Sequence, residues 1–376
     1  MLWYFLKLLG GLLINTVLKN IVKNRTFAPM EVTTPTPMNT VSVDFDNLEF
    51  GKVFADTMVV ADYDGEKWSE FEVKSLETMA MHPATSVFHY GQAIFEGLKA
   101  YKSDDGRINI FRLKDNIARL NKSAHRMMMP QLDADKVEEI IKDFVASNKA
   151  WIPAKHQGSL YIRPFMISTD PTLRAVSSKT FRFVIIACPV GFYYDKPLSV
   201  YLEKSYSRAG KGGIGYAKAA GNYAASFYPS SKAKNLGFDQ VLWTNVSNNF
   251  SLEELGSANF FYVKNGAIRT PSVEDSILRG ITRATVIQLA RDTGMSVTEE
   301  VITAEEFHQD LAAGTVECMF ATGTAAAITY INAITIDNET YTVESNAYAL
   351  VLALKERLDA AKFLELGEHD EWNVVV

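Results

Sequence analysis

Lys211-Gly-Gly-Ile-Gly215-Tyr-Ala-Lys218-Ala-Ala-Gly-Asn-Tyr223-Ala-Ala-Ser226 is the stretch whose reading decides the rest. A lysine followed at once by small residues and then a helix is a poor design for a solvated surface. A desolvated lysine loses its proton more readily, and the neutral amine can form a Schiff base with a carbonyl. The small neighbours allow a flat ring to approach the backbone. Taken alone, Lys218 reads as an ordinary loop lysine, so the case rests on what surrounds it.

Composition sets the frame. The chain has 376 residues, 47% of them hydrophobic, which is too long for one small core and suggests two domains. A formal charge of -6 and no dominating basic patch argue against nucleic acid as a partner. Cys188 and Cys318 are the only cysteines, each inside an apolar run, and read as buried thiols in a reducing compartment. Six scattered histidines show no ligand spacing, so no metal site is expected.

The first residues are of another kind. Met1 to Val22 carries only Lys7 and Lys19 as charges, and a Thr/Pro run from Thr33 to Pro37 follows. Upstream sequence joined by a misassigned start, with Met30 or Met38 as the true one, ranks first. A membrane-surface helix ranks second and a true span last. Residues 1–44 are therefore set apart as an apolar stretch and disordered linker.

Downstream, Asp64-Gly65 signals a hairpin. The run Val87-Phe-His-Tyr90-Gly-Gln-Ala-Ile-Phe95-Glu-Gly97-Leu-Lys-Ala-Tyr101 reads by itself as packed aromatic core. Asp115 is placed to cap a helix whose Ile117, Leu120 and Ala124 share a stripe, with Arg119 off it. A second amphipathic helix is expected over 134–149. Leu160-Tyr161-Ile-Arg163-Pro164-Phe165 reads as a strand that its proline assigns to an edge or an end. Alternation turns Tyr161 and Arg163 the same way. After a buried strand over 181–188, Gly and Pro punctuation around Tyr193 marks a linker at 191–197 between a smaller domain, 45–190, and a larger one, 198–376.

In the second half, Gly210-Lys-Gly-Gly-Ile-Gly215 satisfies Gly-x-Gly-x-x-Gly, but no helix opens on its last glycine and the strand context is wrong. It is a chance match. A helix over 222–234 is closed by Gly237, and Asn265-Gly266 marks another hairpin. Gly280 precedes a helix whose open N–H groups make a ready anion site. Glu317 to Ala326 is a strand running into a turn of small residues.

The lysine stretch resembles the cofactor-lysine motif of the branched-chain amino acid aminotransferases, and the likeness runs from about residue 45 to the end. Ala220 stands where that family usually has a glycine. The resemblance implies an α+β, D-amino-acid-aminotransferase-like fold (fold type IV) with the site at the domain and dimer interface. It implies pyridoxal 5'-phosphate as cofactor. By the same likeness Lys218 is the cofactor lysine and catalytic base, Tyr223 faces the ring hydroxyl, and Glu254 in Glu254-Leu-Gly-Ser-Ala-Asn259 faces the ring nitrogen. Arg119, the amides of Ile281 and Thr282, and the Thr324 hydroxyl take the phosphate. Tyr90, Phe95, Tyr161, Arg163 and Tyr193 line the substrate pocket, and Thr324 and Ala325 receive the substrate carboxylate. The loop from Ser168 to Ser178 is expected to reach into a partner subunit of a homodimer, although Arg174-Ala175 departs from the family's Leu-Gly-Val there. Ala326 and Thr329 occupy the places of a Cys-x-x-Cys pair found in some animal members, so no such redox switch is expected.

The implied activity is amino transfer between leucine, isoleucine or valine and 2-oxoglutarate, in the cytoplasm. Two rivals remain. One is a D-amino acid aminotransferase or aminodeoxychorismate lyase of the same fold, and the other a non-catalytic cofactor carrier or membrane-tethered binding protein.

Overall fold

The computed structural model describes residues 43–191, 196–343 and 348–376. The N-terminal apolar stretch and Tyr193 lie outside the described residues. Among the described residues, no helix is long and apolar enough to cross a membrane.

Two sheets carry the fold. The first takes strands from the N-terminal half: β1 (Thr57–Tyr63), β2 (Glu72–Ser75), β3 (Ala93–Phe95), β4 (Leu98–Lys102), β5 (Ile108–Phe111), β6 (Ser159–Ser168) and β7 (Phe181–Val190). The second begins at β8 (Leu198–Glu203) and continues through β9 (Gln240–Asn245), β10 (Ser251–Leu255), β11 (Asn259–Lys264), β12 (Ala267–Pro271) and β13 (Val297–Glu300). It is completed by β14 (Val316–Gly323), β15 (Ala327–Ile336) and β16 (Glu339–Thr342). The sheets thus part across the segment that reads as a linker. The last strand, β17 (Asn373–Val375), crosses back and pairs with β5 at the edge of the first sheet, where no sequence signal placed it.

In the first sheet the order is β17-β5-β4-β6-β7-β1-β2, with β3 also on β6. β6 is interior, not the edge strand that Pro164 suggested. Pro164 sits where the neighbour of β6 changes from β4, paired at Leu160–Ile162, to β3, paired at Phe165–Ile167. At that gap a strand N–H has no acceptor to lose, and the Pro164 carbonyl still accepts from Glu96 N at 2.8 Å.

In the second sheet β10 pairs with both β9 and β11, so β10, β9, β8, β15, β14 and β11 close into a ring. One core fills this region with Leu242, Phe260, Tyr262, Phe307 and Met319, all buried. A second core packs Phe261 and Phe320 against the helices Ile281–Asp292 and Tyr348–Lys362. The two rings stack 4.9 Å apart.

The expected turns and helix stripe hold, and one expected cap does not. Asn265 and Gly266 both have positive φ in the β11–β12 turn, the conformation that a two-residue hairpin demands. The helix Ala220–Asn235 is followed by Gly237 at φ 92°. In the helix Leu113–Arg126 the stripe of Ile117, Leu120 and Ala124 is buried. Asp115 is not its cap: Arg112 holds that position in the left-handed region and pairs with Asp115 at 2.6 Å. Gly210–Gly215 lies in turns with no helix opening on it. Cys188 and Cys318 are buried and no disulfide joins them.

Candidate active site

The backbone of Lys218 is pinned from two sides. Its N–H donates to the Ser123 hydroxyl at 3.0 Å, and its carbonyl accepts from Phe95 N at 3.0 Å. Asn222, one turn into the following helix, donates to the carbonyls of Ile214 and Ala217, both at 2.9 Å, and folds the glycine-rich loop back. The lysine side chain reaches the Tyr223 hydroxyl, to which Nζ donates at 3.0 Å. Phe95 packs against both groups: its ring lies 4.8 Å from Lys218 Nζ and, tilted by 54°, 4.9 Å from the Tyr223 ring.

These groups face a cavity of about 580 Å³, inside the usual range for small-molecule sites. The sequence assigned Phe95, Arg119, Tyr161, Arg163, Lys218, Tyr223, Glu254, Ile281, Thr282, Thr324 and Ala325 to the site, and every one of them is on its wall. Tyr90 is not. It lies exposed on the short helix Val87–Tyr90, and its hydroxyl donates to the Leu173 carbonyl. The αL turn at Gly91 ends that helix and leaves Tyr90 beside the 169–180 loop instead of above the cavity.

Glu254 is held in β10 opposite Asn259 of β11. Its oxygens accept from Asn259 Nδ2 and Leu278 N, each at 3.1 Å, and pair with Arg208 Nη2 at 2.7 Å. Burial pushes the carboxyl above the ordinary glutamate range, and the Arg208 guanidinium and the Leu278 N–H oppose that push. Neither Arg208 nor Asn259 was read as a site residue from the sequence. Arg208 stands in a polar loop with no periodicity to mark it, although a buried acid demands a counter-charge.

Arg119 is gripped by Glu96 through two bonds, Nε to Oε1 at 2.7 Å and Nη2 to Oε2 at 2.8 Å. A third donor, Nη1, reaches the Arg279 carbonyl at 3.0 Å. Two of the five guanidinium N–H groups are left for an anion. Glu96 was also missed, although it lies in the quoted Phe95-Glu-Gly97 run. A carboxylate between apolar strand residues was its only signal.

The helix Ile281–Asp292 opens beside Arg119 with Gly280 as N-cap and no side-chain cap, so its first N–H groups remain open toward the cavity. Gly280 is needed there: a Cβ would stand 1.9 Å from Asn259 Oδ1. Across the cavity Tyr161 and Arg163 share a face of β6, with Arg163 Nη2 donating to the Tyr161 hydroxyl at 3.0 Å. Arg163 also lies over the Phe95 ring at 4.6 Å. Thr324 and Ala325 form the turn from β14 to β15. The wall therefore carries Arg119, Arg163, Arg208 and Lys218 against one carboxylate, Glu254, a balance that suits a phosphate and a carboxylate bound together.

Residues 93–334 match the family model for amino-transferase class IV. The chain belongs to the class IV aminotransferases. It is 45% identical over 305 residues to branched-chain-amino-acid transaminase 1 of Bacillus subtilis (strain 168), a match covering 80% of this chain and 86% of that one. Among solved structures, the branched-chain aminotransferase of Thermoproteus uzoniensis with norvaline superposes with a TM-score of 0.71 at 26% identity, covering 85% of this chain and 99% of that one. The branched-chain amino acid aminotransferase of Escherichia coli superposes with a TM-score of 0.70 at 26% identity, covering 85% and 98%. The likeness to the branched-chain aminotransferases drawn from the motifs is borne out, as is the α+β, type IV fold of this class IV aminotransferase.

Proposed function

We propose that the chain transfers amino groups between branched-chain L-amino acids and 2-oxoglutarate, with pyridoxal phosphate held in the 580 Å³ cavity. One observation carries the reading. The cavity brings Lys218, Tyr223, Glu254, Arg119, the Gly280–Thr282 helix start and the Thr324–Ala325 turn onto a single surface.

The residues present fit that cofactor. Arg119 and the uncapped amides at Ile281 and Thr282 would hold the phosphate. Glu254, buried and braced by Arg208, would face the ring nitrogen, and Tyr223 the ring hydroxyl. The Thr322 hydroxyl, buried and without a partner, leaves one further donor at the same wall. When bound, pyridoxal phosphate supplies the aldehyde that receives the amino group and the ring that takes up the electrons of a broken Cα–H bond.

The chain's own part is proton handling and placement. Lys218 Nζ, once free, removes the substrate α-proton and returns it one atom away. The 3.0 Å bond to Tyr223 and the Phe95 face keep the amine at one position between those acts. Glu254 lies where the reaction draws electrons, and the Arg208 guanidinium opposes the burial that disfavours its charged form. The Thr324–Ala325 turn receives the substrate α-carboxylate. Phe95, Tyr161 and the apolar stem of Arg163 enclose a branched side chain, and the Arg163 guanidinium meets the second carboxylate of glutamate.

The same reading makes the chain a cytoplasmic homodimer of two-domain subunits. Phe88, Tyr90, Leu173 and Val176 are exposed on two adjoining segments, which Ser86 N ties to the Asp170 carbonyl. A partner would cover such an apolar patch, and Tyr90 with its loop would then serve the neighbouring cavity.

The test is the absorbance of the purified protein before and after L-leucine, with Lys218→Ala beside it. Loss of the cofactor band with release of 4-methyl-2-oxopentanoate is expected from the parent and not from the variant. Turnover of D-alanine without L-leucine, or a protein that stays colourless when supplied with the cofactor, overturns the proposal.

A further inference from the structure

Lys99 has no part in the site described above. It sits in β4 between β5 and β6, its side chain only 8% exposed. Among the described residues its ammonium makes no hydrogen bond or ion pair. Lys362, at the end of the helix Tyr348–Lys362, is buried beside it and already bonded to Asp359 at 2.8 Å. Both line a cavity of about 110 Å³ with Lys155, Lys355 and Ala325–Ala327, and among the described residues Asp359 is the only carboxylate on its wall. A smaller crevice lined by Thr324 also reaches Lys99 and Lys362. Ala325 is therefore a wall of this cavity and of the active-site cavity alike.

A buried ammonium without a partner loses its hydration and regains nothing. Lys99 accordingly falls to about 7 through burial first and the Lys362 charge second, with Asp359 of the same helix and Cys188 of β7 acting the other way. A bound anion would restore the missing interaction. We propose that the 110 Å³ cavity binds one small oxyanion, of the phosphate or carboxylate class, between Lys99 and Lys362 on the far side of the Thr324–Ala325 turn.

Size and charge select this class. The volume admits an anion of a few heavy atoms and excludes a nucleotide. Lys155 is engaged with Glu365 and Lys362 with Asp359, which among the described residues leaves Lys99 and Lys355 as the uncommitted charges. Binding requires Lys99 to be protonated, so affinity rises as pH falls.

The experiment is calorimetric titration of the cofactor-loaded holoenzyme with inorganic phosphate and, separately, acetate, at constant ionic strength in a bulky sulfonate buffer. Loading keeps the Arg119 site occupied. One saturable anion per chain is expected, tightening between about pH 8 and about pH 6. Lys99→Met should weaken it about tenfold or more while leaving the cofactor absorbance unchanged. Tighter phosphate than acetate assigns the phosphate class, and the reverse a monocarboxylate. Absence of saturable binding overturns the proposal, as does binding that L-leucine displaces and Lys99→Met leaves unchanged. Should Lys99→Met not fold, Lys355→Met at the cavity rim decides: weakened binding supports the site and unchanged binding overturns it.

Discussion

Arg208 and Glu254 meet at 2.7 Å with both side chains only 7% exposed, which makes the acid assigned to the ring nitrogen one half of a buried ion pair. Breaking such a pair from one side strands a charge. Arg208→Met is expected to destabilise the protein by about 3–5 kcal/mol and to lower kcat. The double variant Arg208→Met/Glu254→Gln should recover most of the stability and none of the activity. Thermal melts and leucine turnover on all four proteins check this. Equal losses of stability in single and double variants would show that the Arg208 bonds to the Gly215 and Ser276 carbonyls, not its charge, matter most.

Two glycines on the cavity wall separate cofactor binding from substrate binding. A Cβ on Gly280 would stand 1.9 Å from Asn259 Oδ1, and one on Gly97 would stand 2.0 Å from the Tyr161 hydroxyl. Gly280→Ala displaces the N-terminus of the helix Ile281–Asp292, and cofactor affinity should fall about tenfold to a hundredfold, as for one or two lost charge-assisted bonds. Gly97→Ala pushes aside Tyr161 and with it Arg163. Here cofactor affinity should hold while kcat/KM falls about 10–100-fold. Cofactor titration and steady-state kinetics on the two variants distinguish the effects.

Glu253 points away from its neighbour Glu254, and both its oxygens are buried without a well-aligned hydrogen bond, the Ser276 and Asn245 side chains beside them only partly offsetting the loss of water. Burial raises this carboxyl to about 7. A carboxyl raised in the folded state is protonated there at pH values where the unfolded chain has released its proton. Its stabilising contribution is present below the unfolded value of 4.5 and lost as pH rises through about 7. Glu253→Gln should match the parent near pH 4.5 and exceed it in stability above pH 7, by on the order of 3 kcal/mol. Melting curves across that range provide the check, and parallel curves for the two proteins would refute it.

What could be read in advance follows from the range over which each feature acts. Hairpin turns, helix stripes and the Lys218 motif are local, and the structure places them where the sequence does. Glu254 is readable only through the likeness of Glu254-Leu-Gly-Ser-Ala-Asn259 to a family motif, because adjacent glutamates otherwise signal a solvated edge. Arg208 and Glu96 bind partners far along the chain, and nothing near them in sequence announces the pairing. Pro164 misleads for a related reason. The rule that keeps proline off interior strands assumes continuous neighbours, whereas β6 changes neighbour at that residue. Tyr90 is the converse case: the motif places it in the pocket, whereas the structure leaves it exposed beside the 169–180 loop, because a motif carries no record of the αL turn at Gly91 that ends its helix.

Arg163 sets the last expectation. Its guanidinium lies over the Phe95 ring at 4.6 Å and is bonded to the Tyr161 hydroxyl, and its buried Nε has no partner among the described residues. Such a group can lie beside an apolar side chain through its ring contacts and still offer donors to a carboxylate. On the proposed function, that dual use would let one pocket accept leucine and glutamate in turn. Arg163→Met keeps the apolar stem and removes only the donors. For leucine, kcat/KM should stay within about threefold of the parent, since burial of the branched chain is unchanged. For glutamate it should fall about 10–150-fold, the worth of one charge-assisted hydrogen bond. The ratio of the two half reactions, measured by single-turnover absorbance, isolates the effect from folding and cofactor loss, which would lower both alike. Equal losses for the two substrates would mean that Arg163 braces Tyr161 and does not bind the second carboxylate.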